Sequence, residues 1–119
     1  MVKNERRKES RYKIRVDVVT RDAISLEALA LDISSSGLRI QATQSIPPET
    51  QVAVFMPLKK EVVFRGKVVW TIESQSAALP IYLMGIKVSM ISLPDFKAFE
   101  LSEREQILQE ILPWAENTR

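Results

Sequence analysis

The chain has 119 residues, and its 45% hydrophobic and 27% charged content places it among ordinary globular proteins of one domain with a single core. It contains neither cysteine nor histidine, which excludes disulfides, thiolate metal sites, cysteine nucleophiles and the imidazole general base. Net charge is only +2, yet residues 1–15 carry seven basic side chains against Glu5 and Glu9, a local +5 that leaves −3 on the other 104 residues.

Taken in chain order, the first segment (Met1-Val2-Lys3-Asn4-Glu5-Arg6-Arg7) is polar and holds no signal-peptide core, and no later apolar run approaches the roughly 20 residues of a membrane-spanning helix. A cytosolic (cytoplasmic) protein is expected, with residues 1–11 as a flexible basic arm and residues 12–119 as the folded domain. Such an arm is suited to an anionic partner: nucleic acid, phospholipid or a phosphorylated small molecule. From Tyr12 the hydrophobic pattern has period two, the mark of half-buried strands. Tyr12, Ile14, Val16 and Val18 share one face, Leu29, Leu31 and Ile33 form a second inward set, and Leu38, Ile40 and Ala42 a third, with Arg39 and Gln41 outward. Pro47-Pro48-Glu49 predicts a turn. Val52, Val54 and Met56 mark a fourth strand, and Lys59-Lys60 the turn after it. In the long run Val62 to Ile72, the inward face is Val62, Phe64, Val68, Trp70 and Ile72, and Gly66 among them suggests a bulge or a close backbone approach. A polar loop from Glu73 to Leu79 precedes the last strand, whose inward face is Tyr82, Met84, Ile86, Val88 and Met90. Six such strands suit a closed antiparallel barrel.

The period then changes. Ser102-x-x-Glu105 reads as a capping box, Ile107, Leu108, Ile111 and Leu112 follow at helical spacing, and Pro113 stops the run, which predicts a short amphipathic helix over about 102–112. Its apolar stripe needs cover, from the barrel or from a partner protein.

Catalysis finds little support. None of the 15 carboxylates sits in a metal or acid–base motif, and three glycines in all (Gly37, Gly66, Gly85) are too few for a phosphate loop or dinucleotide fingerprint. Two short patterns remain. Arg7-Lys8-Glu9-Ser10-Arg11 is an R-x-x-x-R whose forked guanidiniums suit phosphate oxygens or the O6 and N7 of guanine, and whose planes can stack on a base. Asp32-Ile33-Ser34-Ser35-Ser36-Gly37 is a D-x-S-x-x-G at a turn between strands: an aspartate that can accept from guanine N1–H and N2–H₂, a small hydroxyl at Ser34, and a glycine that permits a left-handed turn without a Cβ in a ligand's way. Each pattern alone is common in basic segments and polar turns.

In order along the chain, Arg7 and Arg11, then Asp32, Ser34 and Gly37, then Gly66, Val68 and Trp70, then Gly85 resemble the PilZ domain family over about residues 5 to 112. Ser36 stands where many members have a second glycine, and Val88 where an aromatic is frequent. The resemblance implies an all-β fold, a six-stranded antiparallel β-barrel with a short C-terminal α-helix, in a bacterial, intracellular setting. It also implies a non-enzymatic receptor for the second messenger cyclic di-GMP that needs no cofactor and signals to a downstream protein partner. Arg7 and Arg11 would then contact phosphates and guanine faces, Asp32 and Ser34 a guanine edge, and Gly37 would hold the turn. Arg6, just ahead of the pair, would favour two stacked ligands over one. On this reading residues 1–11 wrap the ligand and change the surface a partner meets. Two other readings stay open: a protein-interaction module without nucleotide binding, and a basic-armed barrel for RNA or single-stranded DNA. The latter needs exposed stacking aromatics, whereas Phe64, Trp70 and Tyr82 are expected to face inward.

Overall fold

The structure is a computed structural model that describes residues 9–22, 24–74 and 78–116. Alternating apolar residues build six long strands: β1 (Tyr12–Asp22), β2 (Leu26–Ile33), β3 (Gly37–Ala42), β4 (Gln51–Pro57), β5 (Glu61–Ser74) and β6 (Ile81–Leu93). All pair antiparallel in the order β3-β2-β1-β4-β5-β6, and β3 also pairs with β6, which closes the barrel. A seventh strand, β7 (Phe96–Ala98), is appended to the end of β6. Closure leaves those six strands without a free sheet edge along the paired stretches. The interior is filled by the inward face of each strand, with Phe64, Ile33, Leu38, Ile40, Met56 and Met84 among the largest fully buried side chains.

The expected inward faces hold over most of their length: Val16 and Val18, the set Leu38, Ile40 and Ala42, the set Val52, Val54 and Met56, and the set Met84, Ile86, Val88 and Met90 are buried. Tyr12, Ile14 and Tyr82 are half-buried and pack against this core. Two faces are corrected by bulges. Between Ala30 and Asp32 the register of β2 against β3 slips by one residue, so Leu26, Ala30 and Ile33 point inward while Leu29 and Leu31 are only half-buried. Between Val68 and Trp70 the register of β5 against β6 slips likewise. Trp70 and Ile72, expected in the core, are therefore turned outward and are 37% and 58% exposed. An extra residue in a strand inverts the parity of everything beyond it. Of the two features expected at Gly66, the close backbone approach is present, and the register slip beside it carries its extra residue, Ser89, on β6. A Cβ on Gly66 would lie 2.0 Å from the carbonyl oxygen of Lys87.

The helix α1 (Leu101–Glu116) buries Ile107, Leu108, Ile111 and Ala115 against the barrel, touching β1, β6 and β7. Its stripe is thus covered within the chain. The helix begins one residue before Ser102, and the side chain that caps it is Glu103, whose Oε1 accepts from the backbone N–H of Phe99 and Glu100 (3.3 Å each). The expected Ser102–Glu105 box is displaced accordingly. Pro113 does not stop the helix but lies inside its last turns, where its missing N–H costs one ladder hydrogen bond. The Pro47–Thr50 turn is closed by Thr50 N–H donating to Pro47 O (3.4 Å), with Glu49 in the left-handed region at φ 77°. Among the described residues no helix is long and apolar enough to cross a membrane.

Candidate ligand-binding site

Strand register assembles the site. Across the outer wall of the barrel, Lys13 of β1 pairs with Asp32 of β2, Asp32 with Arg39 of β3, Arg39 with Gly85 of β6, and Gly85 with Trp70 of β5. Five residues far apart in sequence thus stand in one lateral row. The slip at Ala30/Asp32 turns Ala30 inward in place of Leu29 and Leu31, and the slip at Val68/Trp70 takes the indole off the core face. Trp70 lies directly over Gly85: a Cβ on that glycine would come within 2.3 Å of Cε2 and Nε1 of the ring. Gly85 is therefore a seat for a flat aromatic on the outer surface.

Asp32 is held between two guanidiniums. Arg11 Nη2 donates to Oδ1 at 2.9 Å, and Arg39 Nη2 pairs with Oδ2 at 2.8 Å. Both arginine side chains stay substantially exposed while the carboxylate is largely covered, so the cations form a lid over the acid. The turn that follows is tied by its own backbone. Ser34 N–H donates to Gly37 O (2.8 Å) and Val88 N–H to Ser36 O (2.9 Å), and Ser34 Oγ reaches Gly37 O at the limit of a hydrogen bond (3.5 Å). Gly37 does not adopt a positive φ, contrary to the left-handed turn expected of it. A Cβ there would stand 3.3 Å from Arg11 Nη1 and from Ser34 Oγ, so both side chains would have to give way slightly.

Two further contacts fasten neighbouring segments to this turn. Ser36 Oγ donates to the carboxylate of Glu9, inside the R-x-x-x-R pattern. Burial of Glu9 pushes its pKa up, but hydrogen bonds from the Ser36 and Ser34 side chains and the Ser36 backbone, with the charge of Arg11, outweigh this and hold it below the ordinary carboxylate value. On the other side, Arg104 of α1 donates through Nη1 to Ser35 O (3.2 Å) and Val88 O (2.6 Å). The turn is thus bonded both to the segment entering the barrel and to the C-terminal helix.

Beside the row lies an open groove of ≈ 340 Å³, lined by Arg11, Ser36, Gly37, Arg39, Trp70 and Lys87 among others. Three cations and a flat indole in one concavity suit an anion that carries an aromatic ring. A larger cleft of ≈ 880 Å³ lies elsewhere on the wall, with Arg15, Asp17 and Glu27 in its lining; its charges are of mixed sign and it contains no residue of either motif. Among the described residues no cluster of acidic side chains could hold a metal ion.

The model of the PilZ domain matches residues 5–104. The chain belongs to the PilZ domain family. Among solved structures, it is similar to the Bacillus subtilis inhibitor of motility MotI/DgrA, with a TM-score of 0.63 at 15% identity over 98% of this chain and 54% of that one. The likeness is one of fold, and this chain spans about half the length of that relative. No curated protein matches the sequence.

Of the motif residues expected to bind ligand, this PilZ domain brings Arg11, Asp32, Ser34 and Gly37 together around one turn. Arg6 and Arg7 lie outside the described residues. Three groove residues, Arg39, Trp70 and Lys87, lie outside the expected set. Arg39 is legible in sequence only as an outward residue two places past Gly37, and its pairing with Asp32 depends on the bulge in β2. Unbroken alternation from Val68 places Trp70 in the core, and the extra residue Val69 turns it outward.

Proposed function

We propose that this PilZ domain is a receptor for cyclic di-GMP. The observation that carries the reading is the row across the barrel wall, which sets a purine-reading carboxylate (Asp32), two guanidiniums (Arg11, Arg39) and an exposed indole (Trp70) on neighbouring strands beside one groove. In this reading Arg11, with Arg7 and Arg6 ahead of it, pairs with the phosphates. Asp32 and Ser34 take a guanine edge, and Trp70 offers a stacking face. Residues 1–11 act as a basic arm that closes over the ligand, and residues 12–119 as the folded receptor. The chain acts by binding, in the cytoplasm, and needs neither catalysis nor a cofactor.

Binding at the turn would also reach the helix. Arg104 grips the carbonyls of Ser35 and Val88, so a ligand that rearranges the turn alters what the helix holds, and a protein partner reading that surface would sense it. Isothermal titration tests the reading. Cyclic di-GMP should bind in preference to GTP, GMP and cyclic di-AMP, and Arg11→Ala should lose charge-assisted contacts of about 1.5–3 kcal/mol while the fold is kept. No heat and no thermal shift with ligand well above micromolar concentration would overturn it. The exposed Trp70 beside three cations also favours a second reading, a single-stranded nucleic acid partner, which needs an exposed stacking aromatic. A groove with one stacking residue holds few bases, and a mobility-shift assay with single-stranded oligonucleotides separates the two.

A further inference from the structure

Asp32 is the only acid in the motif turn, and both of its oxygens are engaged: Oδ1 by Arg11 and Oδ2 by Arg39. The two arginines differ in how they are held. Arg11 precedes the first residue of β1 and its exposed head lies over Gly37. Arg39 sits in the middle of β3, a strand hydrogen-bonded on one side to β2 and on the other to β6. Its Nε is buried and has no hydrogen-bond partner among the described residues, so this guanidinium is drawn onto the carboxylate by one arm of its fork at the expense of another donor.

We infer that Arg39 is a positioning residue for guanine recognition: it holds Oδ2 of Asp32 in register while Arg11 is the exchangeable partner that releases Oδ1 to a guanine edge. Each carboxylate oxygen offers two lone-pair sites, so Oδ2 keeps Arg39 while accepting a second donor from the base. Arg11, freed from Asp32, is then available to the phosphates, while the acid exchanges one arginine bond for two donors of the base and keeps Arg39. The inference rests on the reading that Asp32 takes a guanine edge. It adds a residue outside both motifs that sets base selectivity without touching the base.

A double-mutant cycle tests it, with thermal melting to show that each variant is folded. Wild type, Arg39→Met, Asp32→Asn and the double variant are titrated with cyclic di-GMP and with its inosine analogue, which lacks the exocyclic amine. Arg39→Met should weaken cyclic di-GMP binding by about ten-fold or more and weaken the inosine ligand less, so that the preference between them narrows. In the Asp32→Asn background the same change should have an effect of about two-fold at most, because residues that act through one another are not additive. Arg39→Lys, which keeps a cation on the same strand, should restore part of the preference. Equal weakening of both ligands, additive effects of the two substitutions, or wild-type binding by Arg39→Met would each overturn the assignment while leaving cyclic di-GMP recognition intact. Failure of the wild-type protein to bind either ligand would instead remove the reading on which it stands, and the assignment with it.

Discussion

Gly66→Ala and Gly85→Ala are the same chemical change on adjoining strands, and the structure predicts different consequences. At Gly66 the added methyl would lie 2.0 Å from the Lys87 carbonyl oxygen and 2.8 Å from its carbon. Both are backbone atoms of the paired strand, so relief requires β5 and β6 to separate at the bulge. Overpacking costs about 1–3 kcal/mol, and one or two ladder hydrogen bonds lost beside it add about 0.5–1.5 kcal/mol each. The total of roughly 1.5–6 kcal/mol is a large fraction of a typical domain's 5–15 kcal/mol, and at about 4 °C per kcal/mol it lowers Tm by roughly 6–24 °C. At Gly85 the obstacle is the Trp70 ring, 2.3 Å away, whose outer face is already in solvent. The ring can swing off its seat, so the cost should stay near about 1 kcal/mol, the low end of overpacking. What is lost is the floor of the groove, and ligand affinity should fall by the roughly 1–3 kcal/mol of a base–aromatic stack. Differential scanning calorimetry on both variants, with titration of Gly85→Ala, checks this. If Gly85→Ala melts as low as Gly66→Ala, or binds ligand like wild type, Trp70 is not a displaceable outer platform.

Trp70→Ala should itself lower stability by about 1–2 kcal/mol, below the 3–5 kcal/mol of a fully buried aromatic, and should abolish most of any fluorescence quenching that ligand causes; a large drop in Tm would return the indole to the core. Arg104→Met removes two charge-assisted bonds, one to the turn at Ser35 O and one to β6 at Val88 O, and should cost about 2–3 kcal/mol, with faster amide exchange at Val88, whose N–H is bonded to Ser36 O; unchanged exchange would mean the helix does not brace the turn. For Glu9 the folded-state pKa is depressed, so its contribution is present above the ordinary value of 4.5 and is lost as pH falls through the lower folded value. Protection factors at the Ser34–Gly37 turn, with exchange corrected for its intrinsic pH dependence, should therefore fall on acidification in wild type and be insensitive to that window in Glu9→Gln, and identical profiles would remove Glu9 from the turn.

The barrel and its helix were legible because burial on one side of a sheet imposes period two and burial of a helix stripe imposes a period near 3.6. Nothing beyond Val16, Leu38, Val54, Phe64 and Met84 recurring on schedule was needed to see them. The motif residues Arg11, Asp32, Ser34 and Gly37 were equally visible as residue types suited to phosphate and guanine. What tertiary structure alone decided is where the alternation breaks. A bulge is a property of two strands in register, not of one strand's residues, and Leu31 and Val69 look no different in sequence from neighbours that pair regularly. The slip in β5 took Trp70 off the core face, the slip in β2 turned Ala30 inward in place of Leu29 and Leu31, and the pairing of β3 with both β2 and β6 set Arg39 between Asp32 and Gly85. The surroundings of Gly37 were hidden for a related reason: a Cβ there would meet Arg11, brought from 26 positions away in the chain, and no local pattern records which segment will arrive there.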